Sequence, residues 1–360
     1  MALVFRASSA VVLGAVVSVV AGCGASPGRA EVTRPPGDTA VVNETFLTPF
    51  DTIDNVDSPA IYHGGDTHLV FASAKTTDAV IVYDGVTGAL VKRLGTGGTG
   101  DGQLRRPNGL AVADSVLFVV ERDNHRVQAF HLPSLRPLGA FGGAELRSPY
   151  GVAWIRKGAH AWSVYVTDNY EAGEDSIPPD RELGARVRQF NVRWNGSGIH
   201  GTAVRAFGDT AGAGVLRIVE SIAADSALGR LLVAEETETD SHIKVYDLEG
   251  AFTGVVFGRG LFPQQAEGMA LYPCGERRGW WIATDQGDSV NTFHVFDRVT
   301  FEHAGSFTGA RTRLTDGVAV TSTGFGPFPT GALFASHLDG GLGAISWQEI
   351  AKAVGLGKCE

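Results

Sequence analysis

One kind of short stretch keeps returning along this chain. It appears as SPAIYH at 58, PNGLAV at 107, PYGVAW at 149, VESIAAD at 219, AEGMALY at 266 and TDGVAVT at 315. Each joins a turn or acidic residue to a small residue and then to a brief apolar run. Gly109 and Gly151 stand 42 residues apart, and Gly268 and Gly317 stand 49 apart. The wide gap between Gly151 and Gly268 leaves room for one more unit and an insertion. Short strands that recur every 40 to 50 residues or so are the signature of propeller blades. Six units therefore predict an all-β fold, a six-bladed β-propeller.

A second series supports the same reading. AVIVYD at 79, RVQAFHL at 126, RVRQFNV at 186, HIKVYDL at 242 and TFHVFDR at 292 alternate apolar and polar residues. This predicts strands with one face toward a neighbouring blade and the other more exposed. Helical periodicity is weak except in SWQEIAKAVG from 346, a short terminal helix or the turn before ring closure. The polar segment YEAGEDSIPPDRELG, 170 to 184, reads as an insertion, either a lid or a tolerated loop. Residues 95 to 130, GTGGTGDGQLRRPNGLAVADSVLFVVERDNHRVQAF, resemble an NHL repeat, a propeller unit often used for recognition.

The 360 residues are 44% hydrophobic and 19% charged, enough to bury a large core and too little charge for disorder. A net charge of -9 opposes a nonspecific nucleic-acid surface, and no nucleic-acid partner is expected. The opening MALVFRASSAVVLGAVVSVVAGCGAS resembles a bacterial lipoprotein signal: residues 1–22 would be removed and Cys23 lipidated. Residues 23–42 then read as a flexible tether and 43–360 as the propeller. The expected location is the cell envelope, with the chain anchored to a membrane through Cys23; otherwise it is periplasmic or secreted. Export gives Cys274 and Cys359 an oxidising compartment in which they can pair, the alternative being two separate thiols. Nothing in the sequence calls for an oligomer, so a monomer is expected.

Inner-strand starts and their loops line the ends of a propeller's channel, so Asp57, Glu220, Glu267 and Asp316 occupy corresponding places in different blades. Carboxylates that converge repel one another unless a cation neutralises them. Oxygen ligands without histidine or cysteine suit calcium better than zinc. His125 and His294 lack a partner at ligand spacing and read as structural. Asp285 and Asp288 are ligands or turn formers, and Glu235 is assigned to solvent or to a supporting role. No Gly-x-Ser-x-Gly elbow or P-loop occurs, which opposes serine and nucleotide hydrolases.

NVDSPAIY (55–62), ESIAADSALGRLLVAEE (220–236), QAEGMALY (265–272), ATDQGDSVNTFHVFDR (283–298) and TDGVAVT (315–321) together resemble the motifs of the β-propeller phytases. The resemblance runs from about 50 to 345. It implies a six-bladed, calcium-dependent enzyme that removes phosphate from inositol hexakisphosphate, acting as a 3-phytase-like phosphomonoesterase. Asp57, Glu220, Glu236, Glu267 and Asp316 would hold Ca2+, with Glu220 or Glu267 orienting the attacking water. Lys75 and Arg122, with Arg126 as the alternative to Arg122, would bind substrate phosphate. Ser58 stands where the family has a second aspartate, and Ser221 where it usually has glycine. Two other readings remain: a cell-surface NHL-like propeller binding a protein, peptide or glycan, and a lactonase-like metal hydrolase.

Overall fold

The structure, a computed structural model, describes residues 39–173, 176–237 and 239–359. The signal segment, Cys23 and all but the last residues of the expected tether lie outside the described residues. Six antiparallel sheets follow one another around a central channel. The first comprises Val56–Gly64, Thr67–Ala74, Ala79–Asp84 and Leu90–Leu94. The second comprises Pro107–Ala113, Val116–Glu121, Arg126–His131 and Arg136–Phe141, and the third Pro149–Gly158, Ala161–Asp168, Val187–Trp194 and Ile199–Phe207. The fourth comprises Ile222–Asp225, Arg230–Glu235, His242–Asp247 and Phe252–Phe257, and the fifth Ala266–Cys274, Arg278–Asp285, Thr292–Asp297 and His303–Gly309. The sixth holds Val318–Thr321, Ala332–His337 and Gly341–Ser346, and the innermost strand of each sheet touches the next around a closed ring.

Local sequence explains the repeated turn between third and fourth strands. Three third strands end in aspartate, and its carboxylate accepts from backbone N–H groups just beyond. Asp84 caps Val86 and Thr87, Asp247 caps Glu249 and Ala251, and Asp297 caps Val299 and Thr300.

The apolar core is divided into six clusters, one in each cleft between neighbouring blades. This division corrects the expectation for four of the five third strands, whose two faces are both buried, while Val187–Trp194 keeps Asn191 and Arg193 exposed on one face. In Ala79–Asp84, Ala79, Ile81 and Tyr83 pack toward the sixth blade while Val80 and Val82 pack toward the second. Alternation there separates two interfaces and does not separate core from solvent. Solvent meets the fourth strands instead, as in Leu90–Leu94, where four of five residues are exposed.

The ring is closed from its N-terminal end. Phe46–Leu47 adds the outer strand of the sixth blade by pairing with Gly343 and Ala344. Ala40–Val42 runs parallel to Phe307–Gly309 on the fifth, so these three residues belong to the propeller and not to the tether. Between them Glu44 accepts from the backbone N–H groups of Arg311 and Thr312 and from the Thr312 hydroxyl. Trp347–Val354 is the expected terminal helix; Trp347 stacks on Tyr272 with ring centroids 3.6 Å apart, and Ile350 is buried. Cys274 and Cys359 form a disulfide that ties the tail after this helix to the inner strand of the fifth blade. No helix among the described residues is long and apolar enough to cross a membrane.

Candidate metal and phosphate site

Two positions per blade build the upper mouth of the channel. The first opens the inner strand: Asp57, Asn108, Tyr150, Glu220, Glu267 and Asp316 in blade order. The second follows the end of the next strand: Lys75, Arg122, Asn169, Glu236, Gln286 and Leu338. Small residues beside the first series let the strands converge. A Cβ on Gly268 would lie 2.8 Å from the Asp316 carbonyl oxygen, and one on Gly317 would lie 2.7 Å from the Cα of Ser58. Neither fits without moving backbone, so side chains far apart in sequence are drawn together.

In five of the six blades a buried acceptor sits immediately before the second series and holds the loop in place; the first blade has Ala74 there. Glu121 accepts from Arg105 N–H, Asp168 from Arg147 and Ser148, Glu235 from Arg217 and Ile218, and Asp285 from Gln264. His337 Nδ1 faces Arg313 N–H in the same way. Glu235 is therefore neither solvated nor in the mouth; it is 1% exposed and also paired with Lys244 at 2.9 Å. Asp285 is likewise a loop cap, and burial pushes its carboxyl up to about 6. Asp288 is exposed on the following loop, and His294 is buried between blades, where desolvation pushes it down to about 3 and keeps it neutral.

The glutamates gather. Glu220, Glu236 and Glu267 each offer a carboxylate oxygen within 4.8 Å of the others. Glu236 accepts from the N–H groups of Glu220 and Ser221, which fixes one of its oxygens. Asn169 donates to Glu220 Oε1 at 3.4 Å, while the Tyr150 hydroxyl donates to Asp57 Oδ2 at 3.2 Å. Lys75 Nζ lies 2.7 Å from Asp57 Oδ2 and 4.0 Å from Asp316 Oδ1. Gln286 donates to that same Asp316 oxygen at 3.0 Å, and Asp316 Oδ2 is buried with no hydrogen-bond partner. Ser58, in the place of the family's second aspartate, donates to Asp57 Oδ1 at 2.6 Å.

This crowding shifts the acids upward. Burial and then the Asp57 charge push Glu220 up to about 7 and Asp316 up to about 8. Burial followed by Glu220 raises Glu236 well above the carboxylate range, and burial followed by Glu236, Glu220 and Asp316 does the same to Glu267. Arg122 is near enough to favour the Glu220 charge, and its guanidinium also pairs with Asp123 at 2.9 Å. Arg126 is committed elsewhere: it pairs with Glu121 at 2.6 Å and donates to the carbonyls of Thr99, Gly100 and Gln103 inside the NHL-like loop.

A sequence profile of the phytase family matches residues 184–353. That segment carries Glu220, Glu236, Glu267 and Asp316, and the ring around it has six blades. The matched segment and the six-bladed ring together support the β-propeller phytase family. Asp57, Lys75 and Arg122 lie outside the matched segment and meet the matched acids through the fold. Two solved structures share a distant likeness. A chain in the crystal structure of a nidogen–laminin complex is 14% identical over 79% of this chain and 94% of that one, with a TM-score of 0.49. Hydrazine synthase of Kuenenia stuttgartiensis is 12% identical over 86% of this chain and 77% of that one, with a TM-score of 0.45. Neither adds to the argument.

The donor set of this mouth fits a hard divalent cation. It is all oxygen, it is partly withdrawn from water, and its acids are destabilised as anions by one another. The orphaned Asp316 Oδ2 is a further acceptor without a donor. Sequence reading missed Tyr150, Asn169 and Gln286. The signal was positional: Tyr150 holds in PYG the place that Glu267 holds in AEG, and Asn169 and Gln286 hold the place of Lys75 and Glu236.

Proposed function

We propose that the protein is a calcium-dependent phosphomonoesterase that hydrolyses myo-inositol hexakisphosphate to lower inositol phosphates and inorganic phosphate in the manner of a 3-phytase. The observation that carries this reading is the meeting of Glu220, Glu236 and Glu267 within 4.8 Å of one another, in a mouth shared with Lys75 and Arg122, in a chain matched by the phytase-family profile. Asp57, Glu220, Glu236, Glu267 and Asp316 hold the metal. Bound calcium would neutralise phosphate charge and activate a water for attack on phosphorus.

The chain's own residues do the rest. Lys75 and Arg122 supply positive charge to the phosphate oxygens, the guanidinium with a planar donor pair. Tyr150, fixed through Asp57, presents a hydroxyl to the same space. Asn169 and Gln286 hold Glu220 and Asp316 in one orientation, which preserves the spacing that in-line attack requires. At the other end of the chain, the apolar run before Cys23 supports export and lipid anchoring. Cys23→Ala is then expected to move the protein from the membrane fraction to the soluble fraction, and unchanged membrane association would contradict anchoring at that residue.

The test of the catalytic reading is phosphate release from phytate as a function of calcium, for the wild type and Glu267→Gln. Calcium-dependent release that falls about 100-fold or more in the folded variant supports the assignment. Equal rates in both proteins would remove Glu267 from the mechanism.

A further inference from the structure

Lys75 is the one buried cation among the described residues of the mouth. It faces the carboxylates of Asp57 and Asp316, with Glu220 nearby, while its counterparts in the other blades are Asn169, Glu236, Gln286, Leu338 and the half-exposed Arg122. Its backbone N–H is fixed on the Asn55 carbonyl at 3.1 Å, and its side chain is 9% exposed. The ammonium lies 2.7 Å from Asp57 and 4.0 Å from Asp316, two acids that the functional reading assigns to the metal. A divalent ion bound by these acids would meet a fixed positive charge at close range, where the protein screens it less than bulk water does.

We propose that Lys75 is the resident counter-cation of the ion-free mouth and competes with the divalent cation for Asp57 and Asp316. The lysine keeps the carboxylates together when no metal is bound, and it lowers the affinity for the metal. The inference rests on the metal reading given above and goes beyond a phosphate-binding role for Lys75. A lysine that only binds phosphate leaves calcium affinity unchanged in the absence of phosphate. A lysine that only supports the metal ligands weakens calcium binding when it is removed. A competitor does the opposite.

The experiment is a calorimetric titration of calcium chloride into chelator-stripped, phosphate-free protein, with thermal unfolding of the same samples in chelator and in calcium. Lys75→Met is expected to bind calcium about tenfold or more tightly than the wild type, to melt lower in chelator and to gain more from calcium. Lys75→Arg, which keeps the charge, is expected to stay close to the wild type. A Lys75→Met protein that folds only when calcium is present supports the proposal in its strongest form. Equal or weaker calcium binding by Lys75→Met overturns it, as does failure to fold in either condition, since the ion then does not replace the lysine. A wild type that binds no calcium overturns the metal reading itself and is told apart by that result.

Discussion

Each residue of the mouth carries a role defined by its partner. Glu236 and Glu267 are carboxyl groups whose ionisation burial and the neighbouring acids oppose, an opposition that a bound cation would relieve. Glu236→Gln is accordingly expected to abolish most of the calcium-induced rise in melting temperature while leaving the melting temperature in chelator unchanged or higher; a fall in chelator with a preserved calcium response would contradict this. Gln286 acts at one remove, through its 3.0 Å hydrogen bond to Asp316. Losing such an outer partner typically costs 10- to 100-fold in metal affinity, so Gln286→Ala should weaken calcium binding by about tenfold and Gln286→Asn by less. Isothermal titration decides it, and an unaltered affinity would leave Gln286 without a positioning role.

Elements differ in how openly the sequence announces them. The inner strands were legible because PYG, AEG and TDG join a turn, a mouth residue and an apolar run in one local stretch. Asp57, Glu220, Glu267 and Asp316 followed from that register. The third strands were placed, but all except Val187–Trp194 are more buried than their alternation suggests, since both faces of a blade are interior in a ring. Glu235 and Glu236 stand side by side, yet one caps a loop and the other enters the mouth, a distinction set by the pleat and by partners in the preceding loop. The closing strands were hidden because their pairing is nonlocal: the Thr48 hydroxyl accepts from Leu342, 294 positions away. Glu44 is the polar tie in this closure. Burial works against its charge, but the Thr312 hydroxyl and the N–H groups of Arg311 and Thr312 outweigh it and hold the carboxyl below its ordinary value. Its contribution is thus present above the unfolded-state value and lost as pH falls through the lowered one. Glu44→Gln should destabilise the protein by about 1–2 kcal/mol at neutral pH, with the gap to the wild type closing below about pH 4. Denaturant melts at the two pH values test this, and a gap independent of pH would contradict it.

At the scale of the whole molecule, the ring turns a scattered sequence into one chemical site. The family profile matches the outer half of the third blade and the last three blades, which bring four acids, while the first two blades bring Asp57, Lys75 and Arg122. Closure by Ala40–Val42 and Phe46–Leu47, and by the Cys274–Cys359 disulfide, makes the two halves interdependent. Acids alone would bind an ion, and basic residues alone would bind an anion; the ring sets them around one opening. The proposed function makes this opening a calcium site at which phosphate esters are hydrolysed. The measurement that tests it most directly is a time course of phosphate release from inositol hexakisphosphate in calcium, after transfer to excess chelator, and after calcium is restored. Release is expected to stop in chelator and to resume with calcium. Release that continues unchanged in chelator, or no release at any calcium concentration, would contradict it.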